Sequence, residues 1–333
     1  MVELGLSKSK YFRKLFVVTL IILAIVFVGW KSISHTGYVI LNPGGEQIEK
    51  KDLPYEKYSF ENLAKRGGVA SKIEVSGSKF YYESEGRRIS GEINKPTRTD
   101  LVGKYPIVVM ARGYVEKEIY KTGIGTHNAA KYFADHGYTT YAPDFSGYGE
   151  SDPEDPNALG ARLVKPVEIL DLIASLPQNL PIYLWGHSNG GQIMLSVAEI
   201  LGKSGLQGVT LKGLTLWAPV SKPFPYNILY YTDDATDSGK WLRGQVAEFE
   251  QTYDVFNYSV DRYYDWIAMP IQLHQGSSDE AVPKVWSDAL VESLKLKDKR
   301  VIYFVYPGAD HNLRGVWDTV VAHDVEWFKS LNK

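Results

Sequence analysis

The 333-residue sequence contains no cysteine. That excludes a disulfide framework, a thiolate nucleophile and cysteine-ligated metal centres together. An excess of either charge is also missing: 37 lysines and arginines against 39 aspartates and glutamates leave a formal net charge of −2. No basic run occurs beyond the first residues, so nucleic-acid recognition lacks its electrostatic footprint. Internal repeats and low-complexity tracts are absent as well. With 44% apolar and 13% aromatic residues, the chain has ample material for a core, which excludes global disorder.

Long hydrophobic runs are scarce, with one exception near the start. Lys8, Lys10, Arg13 and Lys14 precede the uncharged stretch "LFVVTLIILAIVFVGW" (15–30), and Lys31 closes it. The stretch is slightly short for a spanning helix. Trp30 suits the membrane interface, and Lys14 and Lys31 can extend the reach by snorkelling. The expectation is a basic cytoplasmic segment (1–14) and an uncleaved transmembrane signal-anchor (15–30), with the rest of the chain outside. The rival is a cleaved signal peptide with Ser32 and Ser34 at its cleavage site, which would secrete the same domain. Residues 31–70 read as a polar spacer, in which "YSFENLAKRGG" forms a short helix ending at Gly67.

From residue 71 the pattern becomes globular. "KIEVSGSKFYYES" and "RRISGEINKP" read as two antiparallel strands joined around Gly86. Strands and helices then alternate. "PIVVMA" (Pro106–Ala111), "YTTYAPD", "PIYLWG", "LKGLTLWAP", "MPIQLHQG" and "KRVIYFVYPG" read as strands. Helices are expected over "THNAAKYFADHG", ended by Gly137, and over 162–175, 191–201, 283–294 and 315–329. This alternation predicts an α/β domain over 71–333, a mostly parallel central sheet with helices on both faces. Residues 221–266 interrupt it as a short inserted cap, rich in tyrosine at positions 226, 230, 231, 253, 258, 263 and 264.

Within this frame "YLWGHSNGGQ" places Ser188 between Gly186 and Gly190, just past an apolar strand and just before a helix. Such an elbow lifts a serine hydroxyl above the sheet edge, and side chains at either glycine would collide as strand and helix close together. A serine is a weak nucleophile at neutral pH and needs a base. His35 lies in the spacer, His187 points off the elbow, and His127 and His136 sit in an earlier helix. His274 is inside an apolar strand, and His323 reads as packing or surface in the last helix. His311, in "YPGADHNL", follows the last strand at the carboxyl edge and is the candidate base. Its orienting acid is Asp279, in "HQGSSDEAVP", with Glu280 as local rival and Asp310 as sequence neighbour directed away. The order Ser188, Asp279, His311 is that of α/β-hydrolases.

The chain from Ile73 to Leu331 therefore resembles an α/β-hydrolase, most closely the catalytic domain of the prolyl-oligopeptidase family and related esterases. The carrying motifs are "YPIVVMARGY", "DFSGYGESD", "GHSNGG", "QGSSDEAVP" and "GADHNL". The resemblance implies an oxyanion hole made by the backbone N–H groups of Asn189 and Tyr114. Where the family usually has His-Gly, this sequence has Arg112-Gly113. Arg112 then reads either as a charge folded against carboxylates or as an aid to an anionic substrate. No β-propeller precedes the domain, so aminopeptidase specificity does not carry over. The tyrosines of the insertion remain as a selector lining an apolar pocket, or as packing of the cap. The expectation is a membrane-anchored serine hydrolase, esterase-like, acting on a small ester or short peptide. A peptidase, an acyltransferase and a non-catalytic binding module are the alternatives. No metal or organic cofactor is implied.

Overall fold

The computed structural model describes residues 53–96, 105–205, 209–233, 235 and 237–332. The expected basic segment, the anchor and most of the spacer lie outside them. Among the described residues, no helix is long and apolar enough to cross a membrane.

Among the described residues, nine strands form one sheet in the order β1-β2-β3-β5-β4-β6-β7-β8-β9. They are β1 (Glu74–Ser76), β2 (Lys79–Ser84), β3 (Arg87–Asn94), β4 (Ile107–Ala111), β5 (Thr139–Pro143), β6 (Pro181–His187), β7 (Thr210–Trp217), β8 (Ile271–Gly276) and β9 (Val301–Tyr306). The first three and the β3–β5 pairing are antiparallel. From β5 through β9 every pairing is parallel.

The central strands read as unbroken apolar runs because both faces of the sheet are covered. On β4, Ile107, Val109 and Ala111 enter one core, while Val108 and Met110 enter the other. On β6, Ile182 and Leu184 share the first core, and Tyr183 and Trp185 the second. The first core lies under α1 (Phe60–Arg66), α4 (Lys165–Ser175) and α5 (Asn189–Ser204). The second lies under α2 (His127–Asp135) and α9 (Trp317–Ser330).

Three boundaries differ from those expected. "KIEVSGSKFYYES" is two strands, not one, because the chain reverses at Gly77 with φ +61°, a conformation that glycine adopts without steric cost. The helix expected over 162–175 is two: α3 (Ala158–Leu163) stops short of α4, which begins with Pro166 in its first turn. Proline has no N–H for a continuing helix and its ring crowds the preceding turn. The folded body begins at Pro54 rather than at residue 71. Phe60 and Leu63 of α1 are 4% and 2% exposed, and the Phe60 ring stacks on Tyr263 at 4.6 Å.

Residues 221–266 stand between β7 and β8 and hold α6 (Tyr226–Leu229), α7 (Lys240–Glu250) and several 3₁₀ turns. Their tyrosines divide. Tyr253, Tyr258 and Tyr264 are buried, whereas Tyr226, Tyr230 and Tyr231 face solvent. Phe249, Tyr253 and Tyr258 pack ring on ring, with centroids 4.5 and 5.0 Å apart around Phe249. Part of the stripe, Tyr253, Tyr258 and Tyr264, is thus packing that closes the insertion onto the body. The helix α8 (Lys284–Leu296) follows β8.

Candidate active site

β6 ends at His187 and α5 starts at Asn189, which leaves Ser188 alone to reverse the chain. Its backbone takes φ +56° and ψ −122°, a region that non-glycine residues enter only under strain. Three hydrogen bonds hold it there. The Ser188 N–H donates to the Trp217 carbonyl at 2.9 Å, and the Ser188 carbonyl accepts from Gly191 at 2.9 Å and Val220 at 3.0 Å. The flanking glycines have no room for a side chain. A Cβ on Gly190 would stand 2.0 Å from the Ala111 carbonyl oxygen, and one on Gly186 would stand 2.5 Å from that of Gly190.

Adjacent strands β8 and β9 bring Asp279 and His311 to the same carboxyl edge. His311 Nδ1 donates to Asp279 Oδ2 at 2.9 Å. Asp279, 7% exposed, also accepts from Gln275 Nε2 at 3.0 Å and from the N–H groups of Ala281 and Val282 at 3.0 and 2.8 Å. Burial by itself would raise the carboxyl, but the bonds from His311, Val282 and Gln275 outweigh it and hold the group below the usual aspartate value. The ionised form is thereby favoured beside the imidazole. Glu280 is exposed. Asp310 instead accepts from the N–H groups of Asn312 and Arg314 at 3.1 and 3.0 Å and shapes its own loop. Among the described residues the Ser188 hydroxyl makes no hydrogen bond to the His311 imidazole, so the structure joins Asp279 to His311 but not His311 to Ser188.

β4 lies next to β6, with Ala111 opposite Gly186, and the loop leaving β4 passes the elbow. A Cβ on Gly113 would stand 3.0 Å from Ser188 Cβ and 3.5 Å from its Oγ. The next residue, Tyr114, is 69% exposed. Among the described residues no acceptor takes the N–H of Tyr114 or of Asn189. Arg112 does not fold against a carboxylate. It is 4% exposed, and its guanidinium donates to the backbone carbonyls of Gly113 at 2.9 Å and Asp144 at 3.1 Å. The guanidinium carbon stands 4.3 Å from the Tyr120 ring centroid and 4.1 Å from that of Tyr148. Arg112 therefore braces the loop through carbonyls and aromatic faces, not through a carboxylate.

The sequence profile of the alpha/beta hydrolase family matches residues 123–324. The chain belongs to the alpha/beta hydrolase family. Among solved structures it is similar to Est1E from Butyrivibrio proteoclasticus with bound ferulic acid, with 20% identity and a TM-score of 0.56 over 75% of this chain and 98% of that one. It is also similar to acetyl xylan esterase 1 from Thermoanaerobacterium sp. JW/SL YS485 (16% identity, TM-score 0.55, 88% and 96% covered). A puromycin-hydrolysing peptidase of Mycobacterium tuberculosis aligns at 19% identity and TM-score 0.54, over 77% of this chain but only 38% of the peptidase. Likeness at these identities concerns the fold and does not single out the prolyl-oligopeptidase branch. No curated protein matches the sequence.

Two hollows flank the elbow of this alpha/beta hydrolase. One, of about 60 Å3, runs from Asn189 under the insertion and is lined by Arg162, Lys165, Asn227 and Tyr258 among others. The other, of about 390 Å3, lies beyond His187 and is walled by Trp185, Trp217 and Trp317. Among the described residues no group of three histidine or carboxylate side chains is placed to hold a metal.

Sequence reasoning missed His187. Its ring lies 4.7 Å from that of His311, and its Nε2–H donates to the His311 backbone carbonyl at 3.0 Å. Removal from water, and then the neighbouring His311, push its pKa down to about 4. It is a neutral donor at pH 7 that anchors the loop bearing His311. The signal available in the sequence was only its place next to Ser188.

Proposed function

We propose that this alpha/beta hydrolase is a serine hydrolase, esterase-like in preference, that works through an acyl-enzyme. The observation that carries the reading is the strained Ser188 elbow at φ +56°, on the same sheet edge as the Asp279–His311 pair at 2.9 Å. Ser188 Oγ attacks an ester or amide carbonyl as His311 Nε2 takes its proton. Asp279 holds Nδ1–H so that Nε2 is free to do so, and stabilises the imidazolium. The oxyanion is received by the N–H groups of Asn189 and Tyr114, neither of which has an acceptor among the described residues. His311 then returns the proton to the leaving group, and water repeats the sequence to release the acid. The likeness to an acetyl xylan esterase and to Est1E with bound ferulic acid supports the ester reading. The peptidase among the similar structures keeps amide cleavage as the second reading.

The test compares a short-chain nitrophenyl ester with a blocked peptidyl anilide, using the full-length chain and Ser188→Ala. Faster ester turnover, reduced in the variant by about 10³-fold or more, is expected. Comparable anilide turnover would make it a peptidase. Turnover that survives in the variant would sink the reading.

The same reading places the domain outside a membrane, tethered by residues 15–30 with the N-terminus cytoplasmic. Retention in the membrane pellet after alkaline carbonate washing is expected, and deletion of 15–30 should abolish it. Full release of the intact chain by that wash would refute the tether.

A further inference from the structure

The narrow cleft beside Asn189 carries two cations on its wall. Arg162 lies in the last turn of α3 and Lys165 opens α4, on either side of the helix break, and both line the cleft. Neither makes an ion pair or a side-chain hydrogen bond among the described residues. A third positive charge stands behind them. The Arg112 guanidinium carbon is 4.1 Å, and Lys165 Nζ 5.8 Å, from the centroid of the same Tyr148 ring.

The carboxylates of the neighbourhood, Glu154 and Glu168, offset this charge only in part. Glu154 is paired with Lys117. Glu168, on the same helix as Lys165, receives the Ser146 N–H at 3.2 Å. Burial lifts Glu168 to about 7, so near neutral pH much of it is protonated. Burial, then Arg162 and Arg112, push Lys165 down to about 8. A half-buried ammonium among like charges is unfavourable, and an arriving anion would relieve it. A second observation points to a ligand in the same place. Asn227 is 7% exposed and lines the cleft, and its Oδ1 is buried with no hydrogen-bond partner. An orphaned buried acceptor of this kind is unfavourable until a donor reaches it.

We propose that the cleft selects substrates carrying a carboxylate or similar anionic group close to the scissile bond. Lys165 and Arg162 hold the anion, while Asn227 Oδ1 accepts a hydrogen bond from a neighbouring N–H or O–H of the same molecule. For turnover this rests on the serine-hydrolase reading; for binding it does not.

Two substrate pairs test it on the full-length chain. The first is the 4-nitrophenyl ester of glutaric acid against its methyl-capped counterpart. The second, for an anion on the leaving-group side, is the butyrate ester of 4-hydroxybenzoate against its methyl ester. In one pair kcat/KM should favour the acid by about tenfold or more, and added salt should erode that preference. In Arg162→Met/Lys165→Met the ratio should fall towards one, whereas Arg162→Lys should keep part of it. Calorimetric titration of glutarate into the native chain and the double variant, both first checked for equal unfolding midpoints, reads binding without turnover. Glutarate binding that weakens at least tenfold in the double variant supports the proposal even if Ser188→Ala stays active and the hydrolase reading falls. Serine-dependent turnover with no acid preference in either pair, and equal glutarate binding, would overturn the proposal and leave the hydrolase reading standing.

Discussion

Single side chains at the sheet edge act mostly by holding other groups still. Arg112 is buried, and both of its donor contacts go to backbone carbonyls, those of Gly113 and Asp144. His187 does the same for the loop of His311. Because its folded pKa of about 4 lies below the ordinary 6.5, protonation favours the unfolded chain. Its contribution is fully present above pH ~6.5 and lost as pH falls towards 4, amounting to at most about 3 kcal/mol. His187→Gln keeps a donor for the His311 carbonyl without titrating. Urea midpoints followed from pH 7 to pH 4 should therefore fall less steeply in this variant than in the native chain. Parallel acid limbs would remove His187 as the titrating group.

At the scale of elements, the elbow is a contact between β4, β6 and α5 that only glycine permits. The Gly190 position leaves a side chain 2.0 Å from the Ala111 oxygen and 2.5 Å from that of Arg112. Both obstacles are backbone and cannot swing aside. Gly190→Ala should push α5 away from β4, costing about 2–3 kcal/mol and displacing the Asn189 N–H. Chemical denaturation and ester turnover would be measured together. An unshifted midpoint with full turnover would show that the elbow has slack. The break between α3 and α4 is a second device of this scale, because the two ends it creates bring Arg162 and Lys165 to one cleft.

For the whole molecule, the strand order places β6, β7, β8 and β9 side by side, so residues far apart in sequence meet at one edge. A buried polar network ties these strands to the last helix. Asp324 of α9 accepts from Trp217 Nε1 at 2.9 Å, Gln272 Nε2 at 2.9 Å and His274 Nε2 at 3.0 Å, while His274 Nδ1 meets the Tyr306 hydroxyl at 2.8 Å. Asp324 and His274 are both 0% exposed. Asp324→Ala would strand donors on β7 and β8 without water and should cost about 3–5 kcal/mol. Asp324→Asn should cost less. A urea unfolding series decides this, and a shift below about 1 kcal/mol in the alanine variant would mean the network is not a principal tie.

Where the chemistry is local and periodic, the sequence was sufficient. Apolar runs set the central strands because both sheet faces are buried, and the glycines around Ser188 announced a contact that admits no Cβ. Together with the order of serine, aspartate and histidine, they made the alpha/beta hydrolase frame legible. Asp279 could be distinguished from Asp310 only in part, since the choice rests on where the carboxylates point. The tertiary structure decided the rest. His274 looked like an apolar-strand residue, because nothing nearby in sequence reveals that Asp324 waits across the sheet. Arg112, His187 and the Arg162–Lys165 cleft acquire their meaning from neighbours dozens of residues away. Short-range pattern records which face of an element is buried, but not which distant polar group it is buried against.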